Sequence, residues 1–210
     1  MARHFPIDID MRLLGLDKDC FASWCERLPE GATMVVQPKI EGFAIGLRYK
    51  YGQLVDAYSR KGSEIIENIR TIKAIPLNID DSLKVEVELE GILFSPSFNS
   101  KFLQAQLLSS STTENASNTP LSFLAFQIFR SNSDELSDLT QLQNWGFEIP
   151  ITLRTEDPSQ VKRWHSQWIK KELFSNLPTN GIVAKCDSSS TKSRLGFSQF
   201  SPNWALALTR

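Results

Sequence analysis

An alternating run of apolar residues between Met34 and Tyr49 most constrains how this chain of 210 residues can fold. A period of two is typical of strands that bury one face in a sheet, and the run is interrupted by Lys39-Ile40-Glu41-Gly42. Gly42 and Gly46 allow a backbone or a ligand to approach closely where a side chain would block it. The lysine, at the end of a strand beside an acid and a glycine, is therefore either a solvated surface charge or a positioned nucleophile.

The bulk composition is that of a globular protein with no global basic field that would indicate nucleic acid, since the net charge is −1. The net charge does not exclude a local basic groove. The cysteines lack metal-ligand spacing and only two histidines are present, so a zinc site is not expected, and His165 is interpreted as a packing or surface residue. Unpaired cysteines, no secretory segment and no apolar run near 18 residues predict a soluble cytoplasmic protein.

The periodicities along the chain predict an α+β fold built on antiparallel sheets. Strands are expected at 34–49, 54–60, 84–93, 121–129, 149–153, 180–186 and 204–208, with a hairpin turn at 50–53. Helices are expected after caps at Asp17, Ser133 and Asp157, with a short one at 64–74. Residues 1–13 are interpreted as an irregular lead-in and residues 109–120 as a mobile polar loop.

Three acids, Glu86, Glu88 and Glu90, share one face of the strand expected at 84–93, because side chains alternate along a strand. Such a row is either a solvated face or the lining of a cationic or metal-bearing site. The sequence leaves both alternatives open.

Several separated segments, in the correct order, resemble one family. Lys39-Ile40-Glu41-Gly42 resembles its Lys-x-Asp-Gly signature, with Glu in place of Asp. The other matching segments are Leu14 to Lys18, Ser59 to Gly62 with Glu67 to Pro76, Gly181 to Lys185, and Leu195 to Phe197 with Ser201 to Ala207. On these segments the chain resembles the adenylation domain of NAD-dependent DNA ligases, within the superfamily that includes ATP-dependent ligases and capping enzymes.

The resemblance implies one adenylation domain over residues 1–210, with the ATP-grasp-like nucleotidyltransferase fold of the DNA ligase and mRNA capping superfamily. That fold has two antiparallel β-sheets flanked by helices. The comparison also leads us to expect neither the family's N-terminal nicotinamide-binding domain nor its OB-fold, zinc, helix-hairpin-helix and BRCT modules in this chain.

In such enzymes a lysine amine attacks the α-phosphorus of NAD or ATP, and the resulting lysyl-AMP is passed to a 5′-phosphate. An unperturbed amine, with a pKa of about 10.4, is almost wholly protonated at neutral pH, so nearby cations and Mg²⁺ are expected to assist. The resemblance implies Lys39 as the nucleophile, with Arg60 and Lys185 contacting ribose and phosphate. Phe126 would stack on adenine. The remaining nucleotide contacts are expected from Leu16, Gln37, Ile40, Glu41 and Glu88, with Gln37 facing the adenine edge.

Three positions depart from the family pattern. Ile92 replaces an acid that helps to hold the ribose, and strand alternation is interpreted as preventing Glu88 or Glu90 from replacing it. Asn180 stands where ligases carry an acid. Thr209 takes the place of a late lysine, with Arg210 next to it as a candidate substitute.

Two functions are consistent with this pattern. The first is an enzyme that self-adenylates on Lys39 and serves polynucleotide end joining, with DNA favoured over RNA, alone or through a partner protein. The second is a degenerate module that binds a nucleotide or a nucleic acid end without chemistry. The retained lysines and Arg60 favour the enzyme, whereas Ile92, Asn180 and Thr209 favour the binding module.

Overall fold

The computed structural model describes residues 18–60, 62–80, 86–96, 103, 121–198 and 201–210, with only the backbone described at 18–20. Within these residues the chain divides into two compact units. One contains Glu41–Ser131 and Asp138–Ile149, and the other contains residues 18–40, Asn132–Ser137 and Pro150–Arg210. The cap expected at Asp17, the lead-in at 1–13 and the loop at 109–120 lie outside the described residues.

The strand expected at 34–49 is two strands, separated by Glu41 and Gly42, and each of the other expected strands is represented among the described elements. The strands are β1 Met34–Ile40, β2 Phe43–Lys50, β3 Gln53–Ser59, β4 Glu86–Phe94, β5 Ser122–Ile128, β6 Leu153–Thr155, β7 Thr179–Cys186 and β8 Ala205–Leu208. The helices are α1 Lys18–Glu26, α2 Ile66–Ile69, α3 Glu135–Asn144, α4 Pro158–Ile169 and α5 Ser189–Leu195. None of the helices in the described part of the chain is long and apolar enough to span a membrane.

Each unit is built on one antiparallel sheet of four strands. The lysine sheet, which carries Lys39 and Lys185, has the order β6-β1-β7-β8, and the acidic sheet, which carries Glu86, Glu88 and Glu90, has the order β3-β2-β4-β5. The predicted architecture of two antiparallel sheets flanked by helices is confirmed.

Turn and cap chemistry sets several of the element boundaries where the sequence predicts them. Tyr51 and Gly52 both have positive φ, 50° and 75°, as the two-residue hairpin between β2 and β3 requires. Asp157 caps α4 by accepting a hydrogen bond from the Ser159 N–H at 2.8 Å, and Pro158 begins the helix. Gly146, with φ 87°, follows the end of α3.

Other boundaries differ from the prediction for physical reasons. The strand expected at 149–153 is β6 at 153–155, and Pro150 has no N–H to donate to a sheet. The helix expected at 64–74 is confined to α2. Helix α5 was not predicted, because its serines, threonine, lysine and arginine show no apolar period. Ser188 caps it by accepting a hydrogen bond from the Thr191 N–H at 3.3 Å.

The core of the lysine sheet lies on the face that α1 and α4 cover. Trp24 and Trp168 anchor these helices, and their indole N–H groups donate to the Asn203 carbonyl at 3.2 Å and to the Thr179 hydroxyl at 2.9 Å. The sheet contributes Met34, Val36, Ile182, Ala184, Leu206 and Leu208, and the helices contribute Phe21, Trp24, Val161 and Trp168. Alternation therefore leaves Val35, Gln37, Val183 and Lys185 on the opposite face.

Aromatic contacts form part of the core of the acidic sheet. The Phe147 ring packs against the rings of Tyr49 and Phe123, with centroids 6.0 and 6.1 Å away. The buried Tyr49 hydroxyl donates to the Pro76 carbonyl at 2.6 Å. Gly91 lies against Phe123 and the Leu124 carbonyl so closely that a Cβ has no room.

Gly91→Ala is expected to lower the free energy of unfolding by about 1–3 kcal/mol, because overpacking forces neighbouring groups to move. The new Cβ would meet the Phe123 ring and would lie 2.7 Å from the Leu124 carbonyl oxygen. Urea unfolding measures the change, and Ser137→Ala, at an exposed position of α3, is the matched control. Equal stability of G91A and the unmodified protein would contradict this account of the β4–β5 contact.

Candidate active site

The pairing of β1 with β7 gives the lysine sheet a polar set on the face opposite its helices. Val35 lies opposite Lys185, and Gln37 lies opposite Val183. Because residues directly opposite each other share a face, Gln37 and Lys185 project to the same side, and alternation within β1 adds Lys39. The structure thus brings three of the predicted site residues to one face of one sheet.

Lys39 lies at the end of β1, half-buried, and its ammonium is oriented by a neutral partner. Its Nζ donates a hydrogen bond to the Asn180 Oδ1 at 2.7 Å. A register shift between Pro38 and Ile40 brings the start of β7 to this position. Gly181 follows, and a Cβ there would lie 2.6 Å from the Leu208 carbonyl oxygen, so the backbone approach requires glycine.

Lys185 belongs to a buried ion cluster that we call the Glu135 cluster, formed by Glu135, Lys185 and Lys192. The Lys185 Nζ lies 2.6 Å from the Glu135 Oε1, and the Lys192 Nζ lies 2.8 Å from the Oε2 of the same carboxylate. Burial acts to raise the pKa of Glu135, but the two adjacent ammonium groups hold that pKa below its ordinary value. One buried carboxylate therefore orients two lysines.

Backbone hydrogen bonds fix the position of Glu135. Its N–H donates to the Asp187 carbonyl at 2.9 Å, and the Leu136 N–H donates to the Asp187 carboxylate at 2.9 Å. On the other side, the Ser189 N–H donates to the Asp134 carboxylate at 2.7 Å. The start of α3 is thereby held against the segment that joins β7 to α5.

Sequence reasoning missed Glu135 and Lys192. An acid in the first turn of a helix is ordinary helix chemistry, and a lysine in a serine-rich segment reads as a solvated charge. No local pattern links either of them to Lys185, because the pairing joins residues 50 or more positions apart.

In the other unit, arginine and lysine side chains form ion pairs with the row of acids on β4. The Arg48 guanidinium contacts Glu86, Glu88 and Asp56 at 3.0, 2.6 and 3.2 Å, and the Lys50 ammonium contacts Glu86 at 3.2 Å. The structure thus pairs part of the row with cations of the neighbouring strand β2, and both alternatives left open by the sequence stay predictions. Among the described residues, no group of three or more His, Cys, Asp or Glu side chains is arranged to hold a metal ion.

Arg60 follows β3 and is paired loosely with the acid at the next position of the row. Its guanidinium lies 3.9 Å from the Glu90 carboxylate, and 38% of the Arg60 side chain is exposed, against 12% for Glu90. Glu88, by contrast, is held at 2.7 Å by the Arg48 Nε–H.

The interpretation that alternation separates Ile92 from the acids is wrong. In β4, Glu88, Glu90 and Ile92 pair with Arg48, Gly46 and Ala44 without any register shift. All three side chains therefore lie on one face, and Glu90 is about 7 Å along the strand from Ile92. An isoleucine at 92 places an apolar group beside the Glu90 carboxylate.

The remaining predicted contacts take varied positions. Phe126 is half-buried and is the extra residue of a β-bulge, because Gly91 pairs with Ala125 while Glu90 pairs with Gln127. Gln37 is buried, and its amide N–H donates to the Thr152 hydroxyl at 3.0 Å.

At the end of β1, Ile40 is half-buried opposite Thr179, and Glu41 is exposed. Leu16 lies outside the described residues. Each unit therefore holds its own part of the predicted set, with Gln37, Lys39 and Lys185 in one and Arg60, Glu88 and Phe126 in the other.

Arg210 is not the expected substitute for a lysine at 209. Its guanidinium lies 5.6 Å from the centre of the Trp168 ring, on the face of the lysine sheet that α4 covers. His165 stacks on the same tryptophan with centroids 5.8 Å apart, and its Nε2 lies 3.0 Å from the Thr209 carbonyl oxygen. Both contacts agree with the interpretation of His165 as a packing or surface residue.

The sequence matches one family over most of its length. The family model described as the NAD-dependent DNA ligase adenylation domain matches residues 10–115 and 96–209. A DNA ligase of Borreliella burgdorferi is 27% identical over 226 aligned residues, which cover 93% of this chain and 34% of the relative. A DNA ligase of Mycoplasma genitalium is 28% identical over 194 residues, covering 82% of this chain and 29% of the relative. The chain thus spans about a third of the length of these curated relatives.

Solved structures show the same fold at low sequence identity. The match to an archaeal ATP-dependent RNA ligase covers 99% of this chain and 48% of the ligase chain, with a TM-score of 0.61 and 16% identity. A Lig E DNA ligase covers 89% of this chain and 65% of its own, with a TM-score of 0.61 and 12% identity. The ATP-dependent DNA ligase of bacteriophage T7, in complex with ATP, covers 83% of this chain and 62% of its own, with a TM-score of 0.54 and 11% identity.

Glu135→Gln is expected to destabilise the protein by about 3 kcal/mol at neutral pH, because two buried ammonium groups lose their counter-charge. The lowered pKa of Glu135 means that its stabilisation is present above the ordinary carboxyl pKa, about 4.3, and is lost as the pH falls through the folded-state value. The stability difference between the two proteins should therefore narrow in acid.

Urea unfolding as a function of pH measures this difference. Glu172→Gln, at an exposed position, is the control and should leave stability within about 0.5 kcal/mol at every pH. A difference between E135Q and the unmodified protein that stayed constant down to the acid limit would show that the charge of Glu135 is not what stabilises the cluster.

Proposed function

Because the chain belongs to the family of NAD-dependent DNA ligase adenylation domains, we propose that it transfers AMP to Lys39 and serves the joining of polynucleotide ends. The observation that carries the proposal is the position of Lys39. It lies at the end of β1 on the same face as Lys185 and Gln37, and its ammonium donates to Asn180. The resemblance assigns it the family's lysine position.

The proposed reaction has two steps at the α-phosphorus of NAD or ATP. The deprotonated Nζ of Lys39 attacks this phosphorus, an N–P bond forms, and the bond to nicotinamide mononucleotide or pyrophosphate breaks. A 5′-phosphate oxygen of the acceptor then attacks the same phosphorus, and the N–P bond breaks with return of a proton to the amine. The products are an adenylylated end and the original lysine.

The other predicted residues supply binding in this proposal. Lys185 neutralises negative charge on the phosphate, and Arg60 contacts the ribose. Phe126 stacks on adenine, and Gln37 contacts its edge. The remaining nucleotide contacts are Leu16, Ile40, Glu41 and Glu88.

Mg²⁺ enters the proposal only as the counter-ion of the donor's phosphates, where it would neutralise charge on the phosphoryl oxygens. No side-chain cluster for a metal is found among the described residues, so no step is assigned to it. The acceptor is proposed to be DNA rather than RNA because the matched curated relatives are DNA ligases, and it is met directly or through a partner protein. Free Cys25 and Cys186 are consistent with the proposed cytoplasmic setting.

A second function, nucleotide binding without chemistry, is favoured by Ile92. This side chain puts an apolar group on the face of β4 where the resemblance places a ribose-holding acid. The two functions differ in one observable, the covalent bond to Lys39.

Incubation with Mg²⁺ and adenylate-labelled NAD or ATP is expected to leave label on the denatured protein. Lys39→Ala should abolish this label, because the attacking amine is lost, whereas Lys170→Ala, at an exposed position of the same unit, should keep it. Scintillation counting of precipitated protein measures both. If neither donor leaves label on the protein, the proposal of AMP transfer is contradicted, and nucleotide binding without chemistry is the function that remains.

Asn180→Asp is expected to move the pH profile of labelling upward by about 1 unit, because a carboxylate beside the Lys39 ammonium favours its protonated form. Single-turnover labelling rates across pH measure the midpoint. Asn180→Ala removes the hydrogen bond without adding a charge and should lower the rate without that upward shift. Identical midpoints for N180D and the unmodified protein would exclude an orienting contact at this atom.

A further inference from the structure

The Glu135 cluster contains one more lysine than the resemblance predicts. We propose that Lys192 is a second phosphate-binding cation, which Glu135 pairs with Lys185 so that the two ammonium groups together hold a phosphate group of the nucleotide donor. This inference rests on the proposed function and assigns a role to two residues, Lys192 and Glu135, that the sequence pattern left unassigned.

The geometry of the carboxylate carries the argument. Its two oxygens each accept from one ammonium group, at 2.6 and 2.8 Å, so both nitrogen atoms are held by the same carboxylate. A phosphate also offers adjacent oxygens and can accept hydrogen bonds from both donors of such a pair. An ammonium group has three N–H donors, so the bond from Lys192 to Glu135 is compatible with a further bond to a ligand.

Exposure makes Lys192 the member of the cluster nearest to solvent. Its side chain is 12% exposed, against 3% for both Lys185 and Glu135. The ammonium group lies 5.1 Å from the centre of the Trp204 ring, just before β8, within the range of a cation–π contact. An incoming anion would therefore meet a cation that is already ordered, and little side-chain entropy would be lost on binding.

The charge of the cluster favours an anion. Two ammonium groups share one carboxylate in a nearly water-free place, where charge interactions are stronger than at the surface. The segments that adjoin the cluster carry two further acids, Asp134 and Asp187. Their carboxylates accept backbone N–H groups of Ser189 and Leu136, and Asp134 is exposed, where solvent screens it. Within the Glu135 cluster, two ammonium groups are therefore set against one carboxylate.

In this proposal the Glu135 carboxylate stays bonded to both lysines when the phosphate binds, and the ligand does not displace it. The N–H of Glu135 and that of Leu136 donate to Asp187, so the backbone from which the carboxylate projects is fixed at the start of α3. Lys192 would also supply a positive charge in place of the family's late lysine, whose position is taken by Thr209. Arg210 lies over Trp168 on the far face of the lysine sheet, whereas Lys192 reaches the carboxylate that also holds Lys185.

Equilibrium binding without Mg²⁺, in EDTA, tests the inference apart from catalysis. Isothermal titration with inorganic pyrophosphate, AMP and adenosine should show that Lys192→Met weakens pyrophosphate and AMP binding about tenfold, the loss of one charge-assisted hydrogen bond. Adenosine binding should not change. Lys192→Arg should restore most of the affinity, and Lys170→Met, an exposed lysine of the same unit, should match the unmodified protein.

Two outcomes would overturn the inference. Equal affinities of K192M and the unmodified protein for pyrophosphate and AMP would make the Glu135 cluster a purely structural contact. The absence of measurable pyrophosphate and AMP binding by the unmodified protein would remove the phosphate site altogether. The two proposals can fail separately. If the protein takes no covalent label but Lys192→Met still weakens phosphate binding, AMP transfer to Lys39 is contradicted and phosphate binding by the two lysines is supported.

Discussion

The antiparallel pairing of β1 with β7 is the constraint on which the candidate site depends. It joins parts of the chain about 140 residues apart and places Asn180 against the ammonium group of Lys39. The same register sets Lys185 on the face that carries Gln37. A slip of one residue would turn these side chains toward the apolar helices, so the hydrophobic pattern that specifies the register also specifies the chemistry.

Charge is organised differently in the two units. On the acidic sheet, Arg48 and Lys50 form partly exposed ion pairs with the acids of β4. Each of these pairs contributes little to stability. In the unit of the lysine sheet, Glu135 and its two lysines are nearly water-free, and such a cluster is costly unless every member is paired. The buried cluster is therefore the more sensitive of the two to a change at a single residue.

Local chemistry made much of the fold predictable, and long-range pairing explains what was missed. The turn at Tyr51-Gly52 and the cap at Asp157 depend on neighbours within a few residues, so they were found from the sequence. The contact of Lys39 with Asn180 and the pairing of Lys185 with Glu135 depend on sheet register and on where α3 begins. Neither leaves a local pattern, and helix α5, which brings Lys192 to the cluster, has no apolar period.

The most direct test of the account is to locate AMP on the chain by mass spectrometry after incubation with Mg²⁺ and NAD or ATP. Proteolysis under conditions that preserve the N–P bond should yield a peptide that carries AMP on Lys39, with at least one of the two donors. An adduct on a different residue, or no adduct with either donor, would contradict the claim that the oriented lysine at the end of β1 is a nucleophile.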